Sequence, residues 1–150
     1  MDETRDQGKS ALTLARISLV LTAMVFGGFG LTFLLWPEVL EITEVTLATP
    51  MAVTEIRAFY GGMELGFAIF FALAAARPSW FRPALVAQIG ALGGLASGRI
   101  FGLIVDGSPD SLHFLLTGTE ITGALIGGLA LWRLTATSLA DGDDVSTAST

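Results

Sequence analysis

Residues 11–36 read ALTLARISLVLTAMVFGGFGLTFLLW, an apolar run that carries one charge, Arg16, and stops at Pro37. At a rise of about 1.5 Å per residue, roughly 20 apolar residues cross the hydrocarbon core of a bilayer, so this run is long enough to span it. Arg5, Lys9 and Arg16 stand at its start as they would in a secretory signal. The apolar part is too long for one, and no small-x-small cleavage site follows before Trp36-Pro37. The run therefore reads as a retained first span.

Three further runs follow outward from it, at about residues 51–76, 83–105 and 111–134. The second run ends at Arg77-Pro78, Ser79-Trp80-Phe81-Arg82-Pro83 makes a tight turn with an interfacial tryptophan, and Asp106-Gly107-Ser108-Pro109-Asp110 makes a second turn. An acidic connector, Glu38 to Pro50, separates the first two runs as a loop or a short interfacial helix. The predicted fold class is all-α, an integral membrane four-helix bundle with polar tails at 1–10 and 135–150 that the composition predicts to be disordered. Arg5, Lys9, Arg16, Arg77, Arg82 and Arg133 all fall on one side of this topology. The loops of the other side carry Glu38, Glu41, Glu44, Asp106 and Asp110 and no Lys or Arg. The positive-inside rule then places both termini in the cytoplasm.

Composition agrees with a membrane bundle. Hydrophobic residues make up 52% and charged residues 15% of the chain, and the mean hydropathy is +0.68. Soluble domains carry about a quarter charged residues. With no cysteine and one histidine, His113, disulfides, thiolate chemistry and a multi-histidine metal site are excluded within one chain, and no cofactor or metal is expected. A net charge of −6 argues against nucleic acid as a partner. The expected partners are the lipid bilayer, a small lipophilic ligand, and another membrane protein or a second copy of the chain.

Four charges fall well inside the runs, Arg57, Glu64, Arg99 and Glu120, while Glu55 lies close to a span's outer end. A charge at the bilayer centre costs about 3 kcal/mol on insertion scales, so it normally faces a partner or a cavity. Counted from the outer end of each span, Arg57 and Arg99 lie roughly 10 Å deep, Glu120 about 14 Å and Glu64 about 20 Å. Arg57, Tyr60, Gly61 and Glu64 share one helical stripe, as do His113, Thr117, Glu120 and Ala124, and Gln88, Leu95 and Arg99 lie on one line of the third span. Three spans can thus point polar stripes at a common interior, with the first span mainly packing. Two readings stay open. Two arginines balancing two glutamates suit a neutral network that fixes helix register, a reading that fits Arg99 best. Alternatively the same groups line a ligand or proton site, a reading that fits Glu64 best. His113 lies near the outer surface and Tyr60 reads equally well as a packed ring.

Glycines recur at four-residue spacing: Gly90, Gly94, Gly98 and Gly102 on the third span, Gly62 and Gly66 on the second, Gly123 and Gly127 on the fourth. Such a stripe lets another helix approach closely, most simply within the bundle. Spans two and four also share Gly-x-Glu-[Leu/Ile]-x-x-Ala-[Ile/Leu] or a near variant of it around Glu64 and Glu120, with Arg57 and His113 seven residues before each glutamate. This suggests a parallel repeat of two helical hairpins.

The segment from Glu55 to Gly66, EIRAFYGGMELG, resembles the signature of a bacterial four-span membrane family catalogued as domain of unknown function 4345. Gly98-Arg99 and Glu120 match the rest of that pattern, and the resemblance covers about Leu12 to Leu134. Span count alone makes the architecture similar to DoxX-like membrane proteins. The resemblance implies a bacterial plasma-membrane protein and names no activity.

On these grounds the sequence supports first a non-enzymatic bundle that binds a small lipophilic or amphipathic molecule or serves as an accessory subunit of a membrane complex. A small proton-coupled transporter using Glu64 or Glu120 is second, because intramembrane carboxylates suit proton relays. An enzyme is supported least: no nucleophile–base pair, paired metal ligands or cofactor motif occurs.

Overall fold

The computed structural model describes residues 2–107 and 111–147, and only the backbone of residues 2–5 and 138–147. Ser108–Asp110 of the expected second turn lie outside the described residues. The described residues form helices and short connections with no strand. Helix α1 covers Asp2–Leu35, the second span joins α2 (Pro50–Ile56) to α3 (Met63–Ala75) through a π-helical stretch, Arg57–Gly62, and α4 (Phe81–Asp106) and α5 (Ser111–Thr147) complete the bundle. Four segments are long and apolar enough to cross a membrane: Asp6–Leu35, Pro50–Ala75, Pro78–Asp106 and Ser111–Thr137. The chain is a multi-pass membrane protein.

Local chemistry sets the breaks. Pro37 denies the first helix a continuing donor, and Pro37–Thr43 closes as a 3-10 turn that ends at Glu44 in the left-handed region, φ 64°. Thr49 starts the second span, its hydroxyl accepting from Ala52 N at 3.2 Å with Pro50 at the first helical position. Gly107 ends α4 with φ 70°. The first and last helices run past their spans, from Asp2 and to Thr147, so helical backbone continues into both tails that composition predicts to be disordered. Extending a formed helix costs far less than nucleating one, and the first tail adds an exposed Lys9–Asp6 pair at 3.2 Å.

Packing is uneven along the bundle axis. We call the end from which α1 starts and that holds the Arg77–Trp80 turn the base, and the end that holds the Pro37–Thr49 connector the rim. The core lies toward the base, where Leu19, Phe71, Phe81 and Leu85 are fully buried and small residues such as Ala15, Ala74, Ala84 and Ala130 let the helices close. Phe26, Phe67 and Phe71 stack above them with centroids 5.5–6.0 Å apart. Arg16 reaches across to the last carbonyl of α3, donating Nε to Ala75 O at 3.1 Å, and lies over the Phe81 ring. Outward faces are apolar: Met24, Ile69, Val86, Ile104 and Leu125 are all exposed, as lipid-facing side chains should be.

α1 packs along the second span and along α5, and α4 packs along α5, so two helical hairpins meet side by side, while α3 and α4 touch little. The tightest crossing joins α1 to the second span. A Cβ at Gly61 would stand 3.0 Å from Leu34 Cα, and one at Gly30 2.8 Å from the Leu65 backbone nitrogen. Gly61→Val therefore forces two backbones apart and should cost about 1–3 kcal/mol, read by unfolding of the purified protein in detergent. Gly66→Ala, whose Cβ would meet nothing within 4 Å, should be neutral in the same assay.

Candidate functional site

The polar side chains of the spans are organised in two layers. The lower layer is one residue deep. Gln88, 1% exposed, donates Nε2 to Ser18 Oγ of α1 at 2.9 Å and to the Gly123 carbonyl of α5 at 2.9 Å. Its place exists because Gly127 has no side chain: a Cβ there would stand 3.0 Å from Gln88 Nε2. One turn higher, Leu92 seats against Gly123, where a Cβ would meet Leu92 Cδ1 at 2.6 Å. A bare polar group in lipid is costly, so this junction fixes α1, α4 and α5 in register.

Above it the helices enclose a cavity of about 290 Å3, lined by all four spans and the connector. Its apolar wall includes Phe26, Phe29 and Phe33 of α1 and Leu92 of α4; its polar lining is Tyr60, Glu64, Arg99, His113, Thr119 and Glu120. Phe33 packs edge-to-face with Tyr60 at 5.6 Å, and Phe29 stacks on Phe33 at 6.1 Å. A second, more open recess of about 670 Å3 lies at the rim, lined by Glu44, Gly98, Gly102, Asp106 and Gly107 among others. Thr43, Arg99 and His113 border both spaces.

Within the cavity one ion pair is made. Arg99 Nε donates to Glu120 Oε1 at 2.8 Å, with side-chain exposures of 30% and 10%. Three other buried polar atoms have no hydrogen-bond partner: Glu64 Oε2, Glu120 Oε2 and His113 Nδ1. Buried polar groups are normally paired, so these three atoms set the cavity apart from the rest of the bundle.

Of the residues that the sequence singles out, Tyr60, Glu64, Arg99, His113 and Glu120 are brought together here. Arg57 is not. It is exposed, and its Nε donates to Leu34 O at 3.2 Å, satisfying a carbonyl at the end of α1. The cause is the π-helical stretch Arg57–Gly62, which adds about one residue to the turn and so rotates Arg57 by about 100° from the face that straight α-helical spacing gives it. The four-member network therefore reduces to one pair plus Glu64.

The glycines divide. Gly61, Gly123 and Gly127 sit at close contacts, while a Cβ at Gly62 would meet only Arg57 O at 3.7 Å. Gly66, Gly90, Gly94 and Gly98 have nothing within 4 Å of that position, and Gly102 only Asp106 of its own helix at 3.7 Å. Among the described residues no helix packs into the third-span stripe; Gly98 and Gly102 line the rim recess instead. Sequence reasoning passed over the Gln88–Ser18 junction and the aromatic wall of the first span. Phe26, Phe29 and Phe33 recur at helical spacing, a signal that was present in the chain.

The fold and cavity define a small four-span membrane bundle with a largely apolar chamber that holds a few polar groups. The chain belongs to the family described as a domain of unknown function (DUF4345), whose model matches residues 14–133. No curated protein and no solved structure matches it.

Removing one partner of a buried pair leaves the other charge stranded, so Arg99→Gln should destabilise the protein by about 3 kcal/mol, and Glu120→Gln in the same chain should restore most of it. Arg57→Gln should cost under about 1 kcal/mol, since it removes one exposed hydrogen bond. A double-mutant cycle on unfolding in detergent measures all three.

Proposed function

We propose that this protein is a non-enzymatic membrane bundle that binds a small amphipathic molecule in the cavity between its spans, alone or as an accessory subunit of a membrane complex. The observation that carries this is the cavity itself, an apolar aromatic wall facing three unpartnered polar atoms. Its volume, about 290 Å3, lies at the small end of ligand pockets, and a few convergent polar groups in an apolar lining are what such pockets use to fix orientation. The uncovered face at Gly90 and Gly94 leaves room on α4 for a partner helix, in keeping with an accessory role. Native purification and mass spectrometry should find a small molecule bound to the wild-type protein and lost from Leu92→Trp, which fills the chamber. Equal recovery from both would place the molecule elsewhere and overturn the reading.

A proton-coupled transporter is the second reading, and Glu64 favours it. Arg99 is committed to Glu120, which leaves Glu64 a buried carboxylate free of any ion pair among the described residues. Such a group is the kind that a relay can use. Reconstituted protein that moves no protons or substrate under an imposed gradient removes this reading.

In this proposal the base faces the cytoplasm across the plasma membrane. Arg16, Arg77, Arg82 and Arg133 cluster at that end, and Glu38, Glu41 and Glu44 at the other. A fluorescent protein fused after Thr150 should fold and emit, whereas a cysteine placed at Gly107 should react with an impermeant maleimide in whole cells.

A further inference from the structure

We infer that the ligand of this cavity carries a cationic ammonium head on a small apolar body; this rests on the proposed binding role and names the chemistry of its occupant. Three features of the structure converge on it.

The first is the balance of hydrogen-bonding capacity. The cavity holds one guanidinium, Arg99, whose Nε is already given to Glu120. Of the three buried atoms without a partner, two are carboxylate oxygens, Glu64 Oε2 and Glu120 Oε2, and Glu120 is only 7% exposed. An ionised carboxylate can only accept, so a donor completes these two oxygens. With both carboxylates ionised and His113 neutral, the formal charge of the lining is −2 + 1 = −1. A cationic donor suits both the open acceptors and that charge, and an anionic ligand suits neither.

The second is the aromatic part of the lining. Phe33 touches both Phe29 and Tyr60, so the three form a run of rings on the cavity lining. Aromatic faces carry negative quadrupole potential and hold ammonium groups when water is excluded. Carboxylates and rings in one lining receive a charged head and its apolar body together.

The third is the approach. The rim recess that shares Arg99 and His113 with the cavity is lined also by Glu44 and Asp106. Counting both spaces, four carboxylates, Glu44, Glu64, Asp106 and Glu120, face one arginine. Glu44 is held there in the left-handed region at φ 64°, a conformation that an L-residue adopts at a cost of about 1–2 kcal/mol. An acidic mouth above an acidic chamber concentrates cations at the site.

The ammonium can belong to a free lipophilic amine or to the headgroup of a bilayer lipid such as an ethanolamine lipid. Head charge is separable from body with phenylpropylamine, phenylpropanol and phenylpropanoate, which share one skeleton. Purified full-length protein in maltoside micelles, which contain no ammonium group, is titrated with each by calorimetry against empty micelles. The amine should bind at least tenfold tighter than the alcohol, and the carboxylate more weakly than both. Glu64→Gln should bring the amine down to the level at which the same variant binds the alcohol. Added ethanolamine lipid that competes with the amine, where phosphatidylglycerol does not, identifies the lipid source; no competition by either identifies the free amine. Equal binding of amine and alcohol to the wild-type protein overturns the ammonium assignment and leaves the cavity as a ligand site. Tighter binding of the carboxylate overturns it in the same way. Binding of none of the three overturns the assignment and the binding role together.

Discussion

Three hydrogen-bonding partners at one depth hold this bundle in register: Gln88 on α4, Ser18 on α1 and the Gly123 carbonyl on α5. In lipid, apolar packing by itself discriminates poorly, because acyl chains are as apolar as leucine. A buried amide is different. If α4 slid by one turn, Gln88 would lose both acceptors and stand bare in a medium that offers none. The room it needs is specified by absence, since Gly127 would clash with it if it carried a Cβ. One polar side chain and one missing side chain therefore settle a register that a dozen alanines and leucines leave open.

That junction also divides the molecule into a solid half and a hollow one. Toward the base, alanines and phenylalanines close the core. Toward the rim the second tie between α4 and α5 is long. Arg99 stands about 16 Å above Gln88 along α4, whereas Glu120 stands only about 5 Å above Gly123 along α5. The 2.8 Å pair is thus made by extended side chains reaching toward each other. An ion pair on long stems holds two helices at a fixed relation without drawing their backbones together, and the space beneath the stems is part of the cavity. The same arginine then borders the rim recess on its other side.

Much of this was legible in the chain. Four apolar runs bounded by proline and turn residues give the spans, because the bilayer leaves few alternatives to a helix. Depth counting brings Arg99 and Glu120 together, because it depends only on rise per residue. Two kinds of feature were not legible. The identity of the glycine that is filled depends on which helix lies opposite: Gly90 and Gly94 match the close-packing spacing yet a Cβ at either would meet nothing within 4 Å among the described residues, while Gly61, a packing position already on sequence grounds, meets Gly30 and Leu34 of α1, a partnership that spacing does not give. Azimuth was the other. Facing arguments assume an uninterrupted 3.6-residue period, and Arg57-Ala-Phe-Tyr-Gly-Gly does not keep it.

That departure from periodicity has chemical consequences out of proportion to its size. On paper the two hairpins are balanced, with a basic or titratable group seven residues before each glutamate. In the folded chain His113 keeps its place on the cavity and Arg57 is turned away to a backbone carbonyl. Glu120 has a counter-charge and Glu64, its counterpart in the other hairpin, has no ion pair among the described residues. A network that would have been neutral, and therefore explicable as structure alone, becomes a chamber with one carboxylate in excess. A single π-helical turn, placed where Gly61 lets α1 approach, thereby breaks the symmetry of two similar hairpins. The same turn places Tyr60 beside Phe33 on the aromatic wall that α1 supplies. The excess acceptor of this cavity, and the one ring that the second span adds to its wall, both trace to the backbone of six residues.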